Sequence, residues 1–117
     1  MPTVLITGGA VRLGRAIVLH LAGRGYDIAL HYGTSEESAK QTVDEVRKLD
    51  VRCKTYSANF TNFNAIASLM DRVLVDFNTV ELLVNSAANF VQENLEETSD
   101  TTLIDTINVN LIAPYVL

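Results

Sequence analysis

The sequence predicts an α/β domain with a doubly wound parallel sheet that is incomplete, with about four strands. Short apolar, β-branched runs alternate with segments of helical apolar spacing along all 117 residues. Each strand and its following helix take roughly 20 to 30 residues, as the repeating unit of a parallel sheet requires. A glycine-rich turn follows the first strand, where nucleotide-binding α/β domains hold phosphate.

The first two units follow directly from these patterns. A β-branched run over Thr3–Thr7 is the first strand, and a helix over Arg12–Gly23 follows because apolar residues recur there every three or four positions. The second unit has a strand over 26–32 and a helix over 36–49. That helix carries acids in its first turn and bases in its last, as the helix dipole favours.

The second half of the chain repeats the alternation. We expect a third strand over 51–57, a helix over 62–76 and a strongly apolar fourth strand over 80–85. A final helix begins near residue 99 or 100 and continues to residue 117. The whole of 1–117 is therefore interpreted as the N-terminal, cofactor-binding part of a single Rossmann-type domain.

The expected strand order has a consequence for the fourth strand. Sheets of this type commonly run in the order 3-2-1-4, which leaves the segment 80–85 as an unpaired edge unless further strands follow. We therefore expect the chain to belong to a larger domain. In isolation it should be inactive and prone to associate through this edge.

Composition and charge exclude several classes of protein. Fourteen acids against nine Lys and Arg give a net charge of −5, which argues against a nucleic-acid surface. The N-terminus has no basic leader, and no apolar stretch approaches the ~20 residues that span a bilayer, so we expect a cytoplasmic protein without a membrane partner. One cysteine makes no zinc site, and His20 and His31 lack clustered partners. We expect no metal, and packing or surface roles for both histidines.

A candidate phosphate cradle lies in the turn after the first strand. Gly8, Gly9 and Gly14 let the backbone approach a ligand, and the next helix supplies N–H groups and the positive end of its dipole. A magnesium-dependent phosphate loop is excluded, because Arg15 and Ala16 stand where that motif needs Lys and Ser or Thr. The alternative is a tight strand-to-helix turn without a ligand.

Three motifs in chain order resemble those of the short-chain dehydrogenase/reductase family. The segment TGGAVRLGR at 7–15 is similar to the glycine fingerprint of that family. NSAA at 85–88 resembles the motif that ends its fourth strand, and NVNLIAPY at 108–115 resembles its fifth-helix segment. Together the motifs extend across nearly the whole chain.

The residues at five positions resemble the pattern of the pteridine reductase branch of the family. Arg12 replaces the middle glycine of the fingerprint, and His31, Tyr32 and Ser35 follow the branch's pattern after the second strand. Phe90 comes shortly after the fourth-strand motif. In that branch an aromatic residue here sandwiches the pterin against the nicotinamide, and the arginine reaches both phosphate and substrate. The resemblance thus implies Phe90 and Arg12 as substrate residues.

The resemblance also implies catalytic and cofactor-binding residues. Asn110 carries over as a catalytic residue, which in the family helps to hold a water beside the active-site lysine. Ser86 and Asn59 stand where the family has Asn and an adenine-binding Asp, and the Tyr-x-x-x-Lys pair is absent from these 117 residues. The implied cofactor contacts are Gly8, Arg12, Leu13, Gly14, Tyr32, Thr34, Ser35, Asn59, Phe60, Ser86, Ala87 and Ala88.

The segment after the second strand favours NADP over NAD. An NAD site places an acid on the ribose hydroxyls about 20 residues past the glycines. Here no acid precedes Glu36, Thr34 and Ser35 offer hydroxyl groups, and Arg12 is able to meet a 2′-phosphate.

These features together predict an NADPH-dependent oxidoreductase. We expect a planar small-molecule substrate such as a dihydropterin or dihydrofolate, with a quinonoid compound as second choice. The alternatives are a 3-oxoacyl or general carbonyl reductase of the same family, and a non-catalytic dinucleotide-binding regulator. For the complete protein the resemblance implies a homo-oligomer.

Overall fold

A computed structural model of the chain describes residues 2–88 and 99–117. The expected alternation of strands and helices is present, and a π-helical turn lies near the end. The elements are β1 (Thr3–Thr7), α1 (Arg12–Gly23), β2 (Asp27–Tyr32), α2 (Glu36–Arg47), β3 (Cys53–Ser57), α3 (Phe63–Phe77), β4 (Leu82–Asn85), α4 (Asp100–Ile107), the π turn (Asn108–Ile112) and α5 (Ala113–Val116).

The four strands form one parallel sheet in the order β3-β2-β1-β4. Thr3 of β1 pairs with Asp27 of β2, and Val4 of β1 pairs with Leu82 of β4. All four strands therefore end at the same edge of the sheet, so the loops that follow them meet there. The predicted fold class and strand order are confirmed.

Helices cover both faces of the sheet, as the doubly wound prediction required. Alternate residues of β1 and β2 enter two separate apolar clusters, because side chains alternate across a strand. One cluster joins the sheet to α1 and α2, and the other joins it to α3 and α5. The two clusters include, respectively, Val4, Ile6, Val18, Ile28, Leu30, Val43 and Val46, and Leu5, Ala29, Tyr56, Ile66, Leu69, Val73 and Ala113.

Several boundaries differ from the sequence prediction by one or two residues. The strands β2, β3 and β4 begin slightly later than expected, and α2 ends at Arg47. The third helix begins at Phe63 because Asn62 is its N-cap. The Asn62 Oδ1 atom accepts hydrogen bonds from the N–H groups of Asn64 at 2.9 Å and Ala65 at 3.3 Å.

The predicted final helix runs without a break from residue 100 to residue 116, but it contains a π turn that the sequence prediction did not include. α4 ends at Ile107, and five residues in π geometry precede α5. Pro114 gives the physical reason. It has no N–H group, and in a regular helix its ring would collide with the carbonyl of Asn110. Over the described ranges, none of the helices has the length and apolar character needed to cross a membrane.

Candidate functional site

A groove of about 730 Å³ opens at the carboxyl edge of the sheet. It is formed by the glycine-rich loop after β1, the loops after β2, β3 and β4, and one residue of the π turn. The lining residues are Gly8, Val11, Arg12, Leu13, Gly14, His31, Gly33, Thr34, Ser35, Ala58, Asn59, Phe60, Thr61, Ser86, Ala87, Ala88 and Val109.

Two glycines of the first loop are required by close backbone contacts. Gly8 has φ +64°, and a Cβ atom there would lie 2.9 Å from the Cα of Ala87. A Cβ atom on Gly14 would lie only 2.0 Å from the carbonyl oxygen of Gly8. Any larger residue would push α1 or the segment after β4 away from the loop. The glycines thus let three chain segments meet at the groove.

Thr7 fixes the segment after β4 against the end of β1. Its buried Oγ1 atom accepts hydrogen bonds from the N–H groups of Ser86 and Ala87, both at 3.1 Å. These two N–H groups are therefore already satisfied within the protein. Thr7 belongs to the glycine fingerprint, but the sequence pattern does not indicate these contacts.

His31 joins the loop after β1 to the loop after β3. Its Nδ1 atom accepts a hydrogen bond from the Gly8 N–H at 3.1 Å, and its Nε2 atom lies 2.8 Å from the Ala58 carbonyl oxygen. An N–H group only donates and a carbonyl only accepts, so the proton lies on Nε2. The ring also stacks on Phe60, with centroids 4.1 Å apart and planes 4° from parallel. We call this arrangement the His31 bridge.

The imidazole of the His31 bridge is neutral at physiological pH. The pKa of His31 is lowered from 6.5 to about 4, chiefly by burial and in smaller part by the charge of Arg72, while the hydrogen bond to Ala58 acts in the opposite direction. A neutral ring is required, since a protonated Nδ1 could not accept from Gly8. His31 is buried and packs on Phe60, in agreement with the predicted packing role, but its two hydrogen bonds to the loops were not predicted. His31 is a polar residue in a buried strand, which was the available signal.

Hydrogen bonds also fix the next two residues of the glycine-rich loop. The Gly9 N–H donates to the His31 carbonyl oxygen at 3.0 Å. The Thr42 hydroxyl of α2 shares its hydrogen between the Ala10 carbonyl oxygen at 3.2 Å and the Ser38 carbonyl oxygen at 2.9 Å. The groups turned to a ligand are consequently those in the first turn of α1, whose N–H groups have no partner within a helix. This turn begins at Arg12.

Arg12 is the one cation among the described residues that line the groove, and none of those residues is acidic. Its backbone has φ +52°, a left-handed conformation that is unfavourable for a residue with a side chain. Thr34 and Ser35, both predicted cofactor contacts, line the groove beside Gly33. Ser35 occupies the N-cap position of α2, but its side chain makes no capping hydrogen bond. Its hydroxyl is thus not used to hold the helix.

At the far side of the groove, the loop after β3 is tied to the π turn. Asn59 is exposed, whereas Phe60 is buried beneath the His31 ring. The Asn108 Nδ2 atom donates to the Thr61 carbonyl oxygen at 3.3 Å. This contact places Val109 in the groove lining, a position that sequence analysis did not single out.

Three predicted site residues do not belong to the described groove lining. Tyr32 is half-buried and packs against the apolar cluster beneath α1 and α2. Asn110 is exposed in the π turn and is not one of the lining residues. Phe90 lies outside the described residues. The roles given to these residues from the resemblance stay predictions.

Comparisons with known proteins agree on one family. The family model described as short chain dehydrogenase matches residues 2–117. The chain is 29% identical over 109 residues to a 3-oxoacyl-[acyl-carrier-protein] reductase of Staphylococcus epidermidis, covering 93% of this chain and 45% of that protein. It is 27% identical over 111 residues to a hydroxynaphthalene reductase-like protein of Metarhizium anisopliae, covering 95% and 42% respectively.

A solved structure is closely similar as well. A short chain dehydrogenase from Burkholderia cenocepacia in complex with NADP superposes with a TM-score of 0.94 at 32% identity. The match covers 98% of this chain and 47% of that one. The chain thus spans less than half the length of the proteins that it matches.

Proposed function

Because the chain belongs to the short-chain dehydrogenase family, we propose that its groove binds NADP(H) and that the full-length protein is an NADPH-dependent reductase. The charge of the groove is the main support. Its described lining has one cation, Arg12, two hydroxyl residues at the end of β2 and no acid. A carboxylate at the end of β2 would repel a 2′-phosphate, whereas these groups attract it.

The chemistry and shape of the groove fit a dinucleotide. The backbone N–H groups in the first turn of α1, those of Arg12, Leu13 and Gly14, would hold the pyrophosphate, and the Arg12 side chain would meet the 2′-phosphate. The loop with Thr34 and Ser35 would hold the phosphorylated ribose, with the base beyond it. The missing Cβ of Gly8 is what allows a close approach here, since the loop backbone already contacts Ala87. Ser86, Ala87 and Ala88 line the opposite side, where we propose that the nicotinamide ring lies.

The nicotinamide, when bound, supplies a hydride for the reduction of a carbonyl or imine carbon. The described residues of this chain would bind the dinucleotide and orient its nicotinamide ring. The His31 bridge and Thr7 hold the loops at fixed separation, which is the preorganisation that hydride transfer needs. Asn110 is proposed to act on a proton relay completed by residues beyond this chain.

Two substrate classes follow from different observations. A planar heterocycle such as a dihydropterin or dihydrofolate is supported by exposed Arg12, which offers several hydrogen-bond donors to a ring rich in acceptors. We further propose that Phe90 stacks on such a ring. The similarity to a hydroxynaphthalene reductase-like protein is compatible with a flat substrate. A 3-oxoacyl or other carbonyl substrate is supported by the similarity to 3-oxoacyl reductases. A non-catalytic regulator would keep the groove without turnover.

Cofactor binding is tested by titrating the full-length protein with NADPH and NADH. The proposal expects NADPH to bind about tenfold more tightly or better, the effect of about 1.4 kcal/mol from the charged contacts to the 2′-phosphate. Equal affinity, or tighter binding of NADH, would contradict it.

The substrate class is tested separately with dihydrobiopterin, a 3-oxoacyl thioester and an aliphatic ketone. Turnover of dihydrobiopterin that falls in the Phe90→Ala variant supports the planar substrate. Reduction of the thioester or ketone alone assigns the protein to carbonyl reduction. Tight NADPH binding with no turnover of any compound favours the regulator.

A further inference from the structure

The strand β3 forms an edge of the sheet, and three of its residues direct their backbone groups away from it. In the order β3-β2-β1-β4, its one neighbour among the described strands is β2. On that side, Arg52 and Ala58 form backbone hydrogen bonds to β2 at 2.8 Å and 3.1 Å. The backbone groups of successive residues point to opposite sides of a strand, so the outward-facing groups belong to Cys53, Thr55 and Ser57.

Arginine side chains cover two of the three outward carbonyls. The Nη2 atom of Arg47, at the end of α2, donates to the Cys53 carbonyl oxygen at 3.3 Å. The Nη2 atom of Arg72, on α3, donates to the Ser57 carbonyl oxygen at 2.9 Å. The helices α2 and α3 pack on opposite faces of the sheet, so one guanidinium group reaches the edge from each face. We call Arg47 and Arg72 the edge arginines.

The edge arginines occupy the space that a further strand would need. In a sheet, the backbone nitrogen of a neighbouring strand lies about 2.9 Å from the carbonyl oxygen that it meets, and the strands are about 4.8 Å apart. The Nη2 atom of Arg72 already lies at that distance from the Ser57 oxygen. A carbonyl oxygen is able to accept two hydrogen bonds, so the acceptor itself is not used up. The obstacle is the volume and charge of the guanidinium group, which must move before a strand pairs.

Charge adds to this obstacle when the incoming strand is the β3 of a second copy. A twofold axis beside Thr55 would pair the two strands antiparallel, with Thr55 opposite Thr55 and Cys53 opposite Ser57. Arg47 of one copy would then meet Arg72 of the other at both ends of the pair. Like charges directly opposite each other destabilise strand pairing. Without the edge arginines, the outward groups of the two strands would be complementary.

The β3 edge also stays exposed when more strands are added to the sheet. In the order 3-2-1-4-5-6, the strands that continue the sheet lie beyond β4, so β3 keeps its outer position. Unpaired edge strands are templates for association, and proteins protect them with charged side chains. We propose that Arg47 and Arg72 prevent the β3 edge of this protein from pairing with the β3 edge of a second copy. The inference does not depend on the proposed cofactor.

The test measures association of the full-length protein with and without the edge arginines. In the double variant Arg47→Ala with Arg72→Ala, we expect the weight-average mass from sedimentation equilibrium to rise with concentration to about twice that of the natural protein, because two copies pair. Exchange of the Thr55 N–H should slow at least about tenfold in the associated form, since this group becomes part of a ladder. In the natural protein the same N–H should exchange rapidly at every concentration.

Two further variants separate pairing at β3 from a change of charge. The matched control is Arg24→Ala with Lys48→Ala, which removes two positive charges from exposed residues outside β3 and keeps both edge arginines. Its mass should not differ from that of the natural protein. Thr55→Pro, added to the double variant, removes the central outward N–H, and proline is tolerated at such edge positions. This change should abolish the association.

Several results would overturn the proposal. They are an unchanged mass and Thr55 exchange rate in the double variant, equal association of the matched control, and association that persists with Thr55→Pro. A protected Thr55 N–H in the natural protein would overturn it as well, because the edge would then already be covered. Circular dichroism verifies the fold of each variant. If the double variant does not fold, Arg47→Ala and Arg72→Ala are measured singly, since each uncovers one carbonyl.

Discussion

The Nδ1 atom of His31 lies 3.1 Å from the backbone nitrogen of Gly8, and this contact decides which tautomer the histidine adopts. The same ring reaches the Ala58 carbonyl with its other nitrogen. Two loops that follow different strands are thereby connected through one neutral side chain. Both loops line the groove, so the neutral His31 ring links two of the segments that form it.

Acidification should therefore destabilise the protein through His31. Its pKa is lowered from 6.5 to about 4 in the folded state by burial, so the unfolded chain binds the proton first. The stabilisation is fully present above pH 6.5 and is lost as the pH falls towards 4, by on the order of 2–3 kcal/mol. Urea unfolding between pH 7.5 and pH 4.5 measures this. His31→Gln, which does not titrate, should lack this component, and parallel pH profiles for both proteins would contradict the prediction.

Thr7→Val should destabilise the fold and weaken NADPH binding. Valine keeps the shape but leaves the N–H groups of Ser86 and Ala87 without their acceptor, at a cost of about 2–3 kcal/mol. Thr7→Ser keeps the hydroxyl and is the control. Thermal unfolding and cofactor titration measure both effects. A valine variant as stable as the serine variant would show that the Oγ1 contacts contribute little.

Two glycine-to-alanine substitutions within α1 should change the free energy of unfolding in opposite directions. Gly14→Ala puts a Cβ atom 2.0 Å from the Gly8 carbonyl oxygen, so α1 must move away from the loop, and we expect a loss of about 3 kcal/mol or more together with cofactor binding. At Gly23 a Cβ atom meets nothing within 4 Å. Gly23→Ala should stabilise the protein by up to about 1 kcal/mol. Chemical unfolding of both variants under the same conditions measures the two changes. Equal losses of stability would contradict the steric explanation.

Arg12→Gly should separate stability from cofactor preference. Glycine adopts the φ of +52° without strain, so the free energy of unfolding should change by less than about 1 kcal/mol. The affinity for NADPH should fall about tenfold because a charged contact is lost, with that for NADH nearly unchanged. Paired titrations with both cofactors provide the measurement. A parallel fall for NADPH and NADH would mean that Arg12 does not read the 2′-phosphate.

The sheet could be predicted from the sequence, because the patterns that indicate strands and helices lie within short stretches of the chain. β-branched runs and helical apolar spacing located the four strands and the main helices of the described residues, and the order common to doubly wound sheets predicted β3-β2-β1-β4. The position of Tyr32 was also open to prediction. Residues 28, 30 and 32 of β2 share one face of the strand, so Tyr32 packs with Ile28 and Leu30 against that apolar cluster.

The contacts that shape the groove could not be predicted from local sequence patterns. His31 meets Gly8 and Ala58, which are 23 and 27 positions away in the chain. Such pairings depend on the separation of loops that no local pattern encodes. The orientation of the Asn59 amide likewise depends on the hydrogen bonds from Thr61, which sequence alone does not reveal.

The contacts of Thr7 with Ser86 and Ala87 span 79 and 80 positions of the chain, and they bear on the order in which the molecule forms during synthesis. β1 lies between β2 and β4, so one of its edges has no neighbour until β4 has been made. At translation rates of about 5–20 residues per second, an interval of this length lasts about 4–16 s. During that time a finished, apolar strand exposes its hydrogen-bonding groups on the side that β4 later covers. The nascent chain thus passes through a period in which a strand that is fully buried in the finished fold presents one unpaired edge.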